Sequence, residues 1–182
     1  MSYAILAASL RSAMQRNDQE AIERLIAEMQ PADLAEFVQR EHTDTVISLL
    51  HHLPLERRAL AFGYLSVALQ EEIAATLTDV KLSELLQHMN ADERADLFKL
   101  LDDDRQQSLL RSLAKEERED LRKLASYEEG TAGAIMTSDY VAIPAYYDVT
   151  RALATVRATG SHAETVYQLY CIDTAGRLLG TV

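Results

Sequence analysis

The sequence predicts a mainly α-helical protein, in which about ten short helices are followed by a smaller α/β part. Residues 1–126 are rich in Leu, Ala, Glu, Gln and Arg, which favour helices, and Gly63 is their only glycine. The other five glycines all lie beyond residue 126, together with the first runs of β-branched and aromatic residues. We therefore expect a helical domain over residues 1–126 and a second domain over residues 127–182.

Ten helices are predicted before the boundary, and capping residues mark the starts of several of them. Asp18, Thr78 and Asn90 each stand just before a helix, and Pro31 fits the first turn of another. The acidic run 102–104 can likewise cap a helix or stabilise its dipole. The predicted spans are 2–15, 18–29, 32–40, 43–51, 55–65, 68–77, 80–88, 92–101, 104–113 and 116–126.

Large apolar residues recur every twelve positions in the helical part. The series is Leu53, Leu65, Leu77, Met89, Leu101 and Leu113. Each twelve-residue unit is predicted to contain a helix of about ten residues. Such a helix is too short to be stable alone and must pack on its neighbours. Short helices joined by tight turns stack as antiparallel pairs, so two units form a structural repeat of about 24 residues. The spacing favours a superhelix, with an irregular helical bundle as the alternative.

The second part is predicted to run strand, helix, strand, turn, strand. It follows a connector that contains two glycines, at 128–133. The strands are expected at 140–143, 165–172 and 178–182, and the helix at 149–157, with Asp148 as its N-cap. Pro144 is expected to end the first strand. The chain stops as the last strand begins, which we interpret as a second domain cut off partway.

Composition restricts the classes of possible partner. The chain has 29 acidic and 18 basic residues, a net charge of −11. Nucleic acid is excluded as a partner because phosphate binding needs a basic surface, and contact with anionic lipid head groups is disfavoured. Cys171 is the only cysteine, which fits a reducing compartment. Because no signal peptide or membrane-length apolar run is evident, we expect this chain to be soluble and cytoplasmic.

The sequence offers candidate metal ligands but no catalytic machinery. Nucleophile triads, phosphate-binding loops and dinucleotide motifs are absent, so an enzyme is not expected and no catalytic or cofactor-binding residue is assigned. Asp92 and Asp96 lie four residues apart on one face of a helix, where they repel unless a cation compensates. Mg²⁺ prefers oxygen ligands and usually takes one or two protein carboxylates. The structural alternative is that Asp92 stabilises the helix N-terminus and Asp96 is a surface acid.

Two motifs beyond residue 126 are specific enough to suggest a family. One is T-A-G-x-x-M-T at Thr131–Thr137, within YEEGTAGAIMTSDYVAI, and the other is I-D-x-x-G-R-L-x-G at Ile172–Gly180. Together with the helical stretch Met89–Phe98, they resemble the cytosolic region of the MgtE family of magnesium transporters. The resemblance covers nearly the whole chain.

The resemblance implies a right-handed superhelical N domain over 1–126 and the first half of a CBS domain over 127–182. It also implies that the rest of the CBS region and the membrane domain belong to a longer protein, a homodimer at the inner membrane with this region on the cytoplasmic side. In that family, acids of the N domain bind regulatory Mg²⁺ together with acids of the CBS domains. The positions that match are Asp92 and Asp96, and binding by this chain alone is expected to be weak.

Three functions follow as hypotheses. The first is a Mg²⁺-sensing regulatory region, which gates magnesium transport through cation-bridged contacts between acidic N and CBS domains. The alternative is a helical protein-interaction scaffold without ion sensing. An adenine nucleotide sensor of the CBS type ranks last, because nucleotide binding normally needs a complete CBS pair.

Overall fold

The computed structural model describes residues 2–160 and 163–182, and it divides them into two compact units. The first unit comprises the residues up to Met89 together with Glu93–Ala125, and the second comprises Asn90–Asp92 and Ser126–Val182. The helices of the first part are α1 (Tyr3–Gln15), α2 (Gln19–Glu28), α3 (Pro31–Val38), α4 (Thr43–His51), α5 (Leu55–Gly63), α6 (Val67–Thr76), α7 (Asp79–Leu86), α8 (Ala91–Leu100), α9 (Asp103–Ser112) and α10 (Lys115–Ala125). The second part contains β1 (Tyr140–Pro144), α11 (Val149–Thr159), β2 (Thr165–Ile172) and β3 (Leu178–Thr181). The predicted fold class, mainly helical with a smaller α/β part, is confirmed.

Side-chain caps account for several of the predicted helix starts. The carboxylate of Asp18 accepts a hydrogen bond from the Ala21 amide at the start of α2. Asp102 and Asp148 accept corresponding bonds at 2.9 and 2.8 Å at the starts of α9 and α11. Because the first amides of a helix lack carbonyl acceptors within the helix, these oxygens stabilise its first turn. The capping interpretation of Asp102 is therefore confirmed.

Helices two positions apart in the sequence pack on each other within the first unit. Helix α3 packs on α5, α5 on α7 and α7 on α9, while α4 packs on α6. This alternation is what stacked pairs of antiparallel helices produce, and it gives a structural repeat of two helices. The stacked arrangement, rather than an irregular bundle, therefore describes the helical part.

The twelve-residue apolar series forms much of the core of this unit. Five of its members are buried, namely Leu53, Leu65, Met89, Leu101 and Leu113. The residues eight positions after the series members are buried as well: Ala61, Ile73, Leu85, Leu97, Leu109 and Leu121. Each helix therefore contributes one residue near its middle and one at its end to the same core, which explains the regular spacing.

A polar series with the same twelve-residue period forms hydrogen bonds at the ends of the helices, and it was not predicted from the sequence. Its members stand five positions after the apolar series, and their side chains donate to backbone carbonyls: Arg58, Gln70, Gln106 and Arg118. The last carbonyls of a helix have no amide donor within the helix, and each of these side chains adds a hydrogen bond at or just after a helix end. The twelve-residue repeat therefore includes a hydrogen-bonding polar position as well as its apolar core positions.

Two further arginines link helices that are distant in sequence. Arg57 on α5 donates to the carbonyls of Ala27 and Met29 at the end of α2. Arg105 on α9 donates to the carbonyl oxygens of Ala74, at 2.7 Å, and Leu77, at 2.8 Å, at the end of α6. These bonds hold successive layers of the stack together, because each guanidinium carries several donors in a fixed geometry.

The second unit is built around a three-stranded sheet of order β1-β2-β3. Strands β1 and β2 are parallel and are connected through α11, whereas β2 and β3 form an antiparallel hairpin. At the hairpin turn, the Asp173 carboxylate accepts bonds from the amides of Ala175 and Arg177, and Gly176 adopts a φ of 77°. A positive φ of this kind favours glycine. The predicted hairpin is confirmed.

One predicted strand boundary is wrong by a residue. Pro144 belongs to β1 and pairs with Ile172, although it was expected to end the strand. Strand β1 lies at the edge of the sheet, where a residue without an amide hydrogen is tolerated. The next amide, that of Ala145, donates to the carbonyl of Ile172 and continues the pairing.

The second unit buries few side chains. Val141 and Ile143 of β1 are 2% and 4% exposed, whereas α11 has no buried residue among those described.

None of the described helices combines the length and the apolar character that crossing a membrane requires.

Candidate functional site

Helix α8 carries both predicted metal ligands. Its buried side chains are those of Ala91, Ala95, Leu97 and Phe98, which fix the rotation of the helix about its axis. Asp92 is half-buried and Asp96 is exposed. The spacing of four residues places the two carboxylates one turn apart on the helix surface.

Of the two aspartates, Asp92 has a buried carboxylate oxygen whose hydrogen-bonding capacity is unmet among the described residues. Its Oδ1 atom is inaccessible to solvent and has no hydrogen-bond donor within the described residues. A buried carboxylate oxygen without a donor or a cation is costly, since the charge loses its hydration without compensation. A cation at this oxygen would remove that cost, so Asp92 fits the role of an oxygen ligand.

Asp96 already has a basic neighbour. Lys99 Nζ lies 3.2 Å from Asp96 Oδ1, one turn further along α8. The Asp96 side chain is 62% exposed, and exposed ion pairs contribute about 0–1 kcal/mol. A divalent cation can therefore displace the lysine at little cost in stability.

The other charged residues of α8 contact the helical unit. The Glu93 carboxylate lies directly against Gly63 of α5 and leaves no room there for a side chain. Arg94 forms a salt bridge with Asp120 of α10, with an N–O distance of 3.6 Å. A side chain at position 63 would have to displace the flexible end of Glu93, a contact that no local sequence signal indicates.

The described residues contain no group of three or more His, Cys, Asp or Glu side chains arranged to hold a metal. Helix α8 can thus supply two carboxylates, and the remaining ligands of a cation would come from water or from groups outside this chain. This is compatible with Mg²⁺, which keeps several water ligands when few carboxylates bind it.

Other polar side chains of the helical unit have local partners. His52 Nδ1 lies 3.4 Å from a Glu23 carboxylate oxygen. Glu72 accepts a hydrogen bond of 2.6 Å from the Thr43 hydroxyl. Asp79 accepts bonds from the Ser108 hydroxyl and from Arg105. The Ser108 bond, followed by Arg105, lowers the pKa of the Asp79 carboxyl below its ordinary value.

The second unit contains a cavity of about 410 Å³ that sequence reasoning did not identify. Tyr140 and Tyr170 line it, with their rings 5.4 Å apart in an edge-to-face arrangement. Met136, Thr137 and Leu178 complete much of the remaining wall. A volume of this size lies within the range of small-molecule sites.

The stacked short helices and the small α/β unit together define a mainly helical protein with a smaller α/β part. Residues 29–130, more than half of the chain, match the family model of the MgtE intracellular N domain. The chain belongs to this family, and the resemblance noted from its motifs is confirmed.

Two curated relatives are both magnesium transporters named MgtE. The protein from Thermus thermophilus is 33% identical over 183 residues, which cover 97% of this chain and 40% of that protein. The protein from Enterococcus faecalis is 37% identical over 62 residues, which cover 34% of this chain and 14% of that protein. The chain thus spans less than half the length of either relative.

Two crystal structures share the fold. The soluble part of a magnesium transporter superposes with a TM-score of 0.84 at 24% identity, covering all of this chain and 72% of that one. The cytosolic domain of the Mg²⁺ channel MgtE in complex with ATP also gives a TM-score of 0.84, at 32% identity, covering 97% of this chain and 72% of that one.

Proposed function

We propose that the chain is the Mg²⁺-sensing, intracellular regulatory region of an MgtE-type magnesium transporter. The observation that carries the proposal is the buried Oδ1 atom of Asp92, which has no hydrogen-bond donor among the described residues, one turn from Asp96 on a chain of net charge −11. The named activity of the relatives, magnesium transport, makes Mg²⁺ the cation to test. The proposed role involves no catalysis.

The proposed mechanism is electrostatic. Without a cation, acidic surfaces repel one another, and this repulsion favours an open arrangement of the regulatory region. Mg²⁺ held by Asp92 and Asp96, with water and acids of the CBS region as its other ligands, favours a closed arrangement that reduces transport. A ligand shifts such an equilibrium only by its differential affinity for the two states.

We also propose how this chain fits into a longer protein. The helical domain extends over residues 1–126, and residues 127–182 are the first half of a CBS domain. The remaining CBS and membrane domains belong to the same longer, homodimeric protein, with this region on the cytoplasmic side of the inner membrane. The family model's description of an intracellular N domain supports this placement.

Direct binding is tested by NMR titration of the chain with Mg²⁺ at constant ionic strength. We expect weak, saturable shifts centred on Asp92 and Asp96, which disappear in the Asp92→Asn and Asp96→Asn variants. Asp103→Asn is the matched control, because Asp103 is also an exposed acid in the first turn of a helix. Equal shifts with Na⁺, or equal loss in the control, would contradict the site.

Gating is tested in the longer transporter. Double substitution of Asp92 and Asp96 by Asn should leave transport active at internal Mg²⁺ concentrations that inhibit the parent protein. Mg²⁺ should also protect residues 126–140 from limited proteolysis in the parent. If cleavage and transport are the same with and without Mg²⁺, the chain acts as a scaffold instead.

Adenine nucleotide binding is the second candidate function. It is supported by the 410 Å³ cavity with Tyr140 and Tyr170 in its wall, and by the similar MgtE structure that contains ATP. Aromatic side chains can stack on a nucleotide base. We expect Tyr140→Ala to weaken ATP binding, whereas Tyr146→Ala, at an exposed tyrosine that does not line the cavity, should have no effect. Absence of an ATP-dependent change would exclude this function for the chain.

A further inference from the structure

The helical unit contains a half-open, mainly apolar cavity that the proposed Mg²⁺ site does not use. It has a volume of about 110 Å³ and lies between α4, α5, α6 and α7. The buried side chains in its wall include Leu50, Phe62, Ile73 and Leu85. An engineered cavity of about 150 Å³ with similar lining stays dry and binds benzene. This cavity therefore has room for an apolar group slightly smaller than a phenyl ring.

The rim of the cavity is charged, and its excess charge is positive. Arg58 and Lys81 contribute two positive charges, and Glu84 contributes one negative charge. This local excess stands out on a chain whose net charge is −11. A single anionic group at the mouth would be attracted, while Glu84 disfavours a second one.

The two rim cations retain hydrogen-bonding capacity. Arg58 is oriented by bonds from its Nε and Nη2 atoms to the carbonyls of Leu50, His51 and Leu53. Its Nη1 atom makes no hydrogen bond within the described part of the chain, and Lys81 makes no salt bridge there. Arg58 is thus fixed in position by its other nitrogens, while Lys81 is exposed and can adapt to a ligand.

His51 also lies on the rim, and the pKa of its imidazole responds to the charges nearby. Burial lowers the pKa of its imidazole, and the charges of Arg58, Lys81 and His52 lower it further. The ring is therefore neutral near pH 7 and adds no charge of its own. An anion bound beside the two cations would offset their field and raise this pKa again.

We propose that this cavity binds a small monocarboxylic acid whose apolar group has about four or five carbon atoms. The apolar group enters the cavity between Ile73 and Leu85, and the carboxylate lies at the mouth between Arg58 and Lys81. Burial of the apolar group drives binding, and charge-assisted hydrogen bonds from the cations select the acid over its neutral analogues. The site shares no residue with the acidic pair on α8.

The test is an NMR titration of the whole chain with 4-methylpentanoate, compared with 4-methylpentanamide and with acetate. We expect saturable shifts of the Ile73 and Leu85 methyl groups with 4-methylpentanoate only, accompanied by a rise in the pKa of His51. Equal binding of the amide would overturn the role of the cations. Equal effects of acetate would overturn the role of the cavity.

Two variants extend the test without disturbing the core. Lys81→Gln should weaken binding of the acid about two- to fivefold, the range expected for an exposed charge pair. Lys115→Gln is the control, since Lys115 is an exposed lysine on α10 away from the cavity. Leu77→Phe, at a half-buried position in the lining, should fill the cavity and abolish binding. Unchanged affinity in both Lys81→Gln and Leu77→Phe would refute the proposed site.

Discussion

Substitution of Gln70 tests whether the polar twelve-residue series stabilises the stack. Gln70 is 7% exposed, and its Nε2 atom donates to the carbonyls of Phe62 at 3.0 Å and Gly63 at 3.1 Å. These carbonyls lie at the end of α5, where no helical amide can reach them. The Phe62 carbonyl also accepts a hydrogen bond from the Leu65 amide at 3.1 Å. We expect Gln70→Met to destabilise the fold by removing the donor to the Gly63 carbonyl.

The magnitude follows from the burial of these groups. Methionine has nearly the length and the helix propensity of glutamine, so packing and backbone preferences change little. An unsatisfied buried polar group costs about 1–3 kcal/mol. Because only the partly buried Gly63 carbonyl loses its donor, we expect a loss of about 1 kcal/mol in the free energy of unfolding.

The assay is urea unfolding followed by far-UV circular dichroism, which reports mainly the helical unit. With a denaturant dependence of about 2 kcal/mol per molar urea, the midpoint should fall by about 0.5 M. Gln107→Met is the matched control, because Gln107 is exposed on α9 and lines no helix end. If the two variants unfold within about 0.5 kcal/mol of each other, the carbonyl argument is wrong.

Two further predictions concern acid stability and the hairpin. Asp79 accepts bonds from Ser108 and Arg105, which lower the pKa of its carboxyl below the ordinary value of 3.8. The folded state therefore binds this proton less readily than the unfolded state, and the stabilisation present above pH 3.8 should be lost as the pH falls below it. Asp79→Asn should remove this contribution, measured as the change in thermal midpoint with pH, and an unaltered acid profile would contradict it. Gly176→Ala should destabilise the hairpin by about 1–2 kcal/mol because its φ is 77°. Gly180→Ala is the control and should cost less, since there is open space around Gly180. Hydrogen exchange of β2 and β3 measures both effects, and equal effects would reject the argument.

The elements of this fold could be predicted from the sequence because their signals are local. The predicted helix spans agree with the structure to within two residues at either end. The caps at Asp18, Asp102 and Asp148 each act on an amide three residues away, a distance that the sequence itself displays. The boundary at Pro144 was missed because it depends on β1 being an edge strand, which is a property of the sheet.

The candidate site was predicted only in part, for the same reason. The spacing of Asp92 and Asp96 follows from their positions on one helix. Their different environments do not follow from the spacing. One oxygen of Asp92 is buried with no donor in the described part of the chain, and Asp96 has Lys99 beside it. The close contact of Glu93 with Gly63 likewise joins residues on two helices that no short-range pattern connects.

The sequence by itself determined the number, length and order of the helices, the twelve-residue apolar period and the acidic charge of the chain. These properties depend on residues within one or two helical turns, where backbone geometry relates sequence spacing to position. The tertiary structure alone decided which helix ends receive side-chain donors from Gln70 or Arg105, and where the apolar cavity lies beside Arg58 and Lys81. Those features arise when separate helices pack, because only packing brings distant groups within bonding distance and removes them from water.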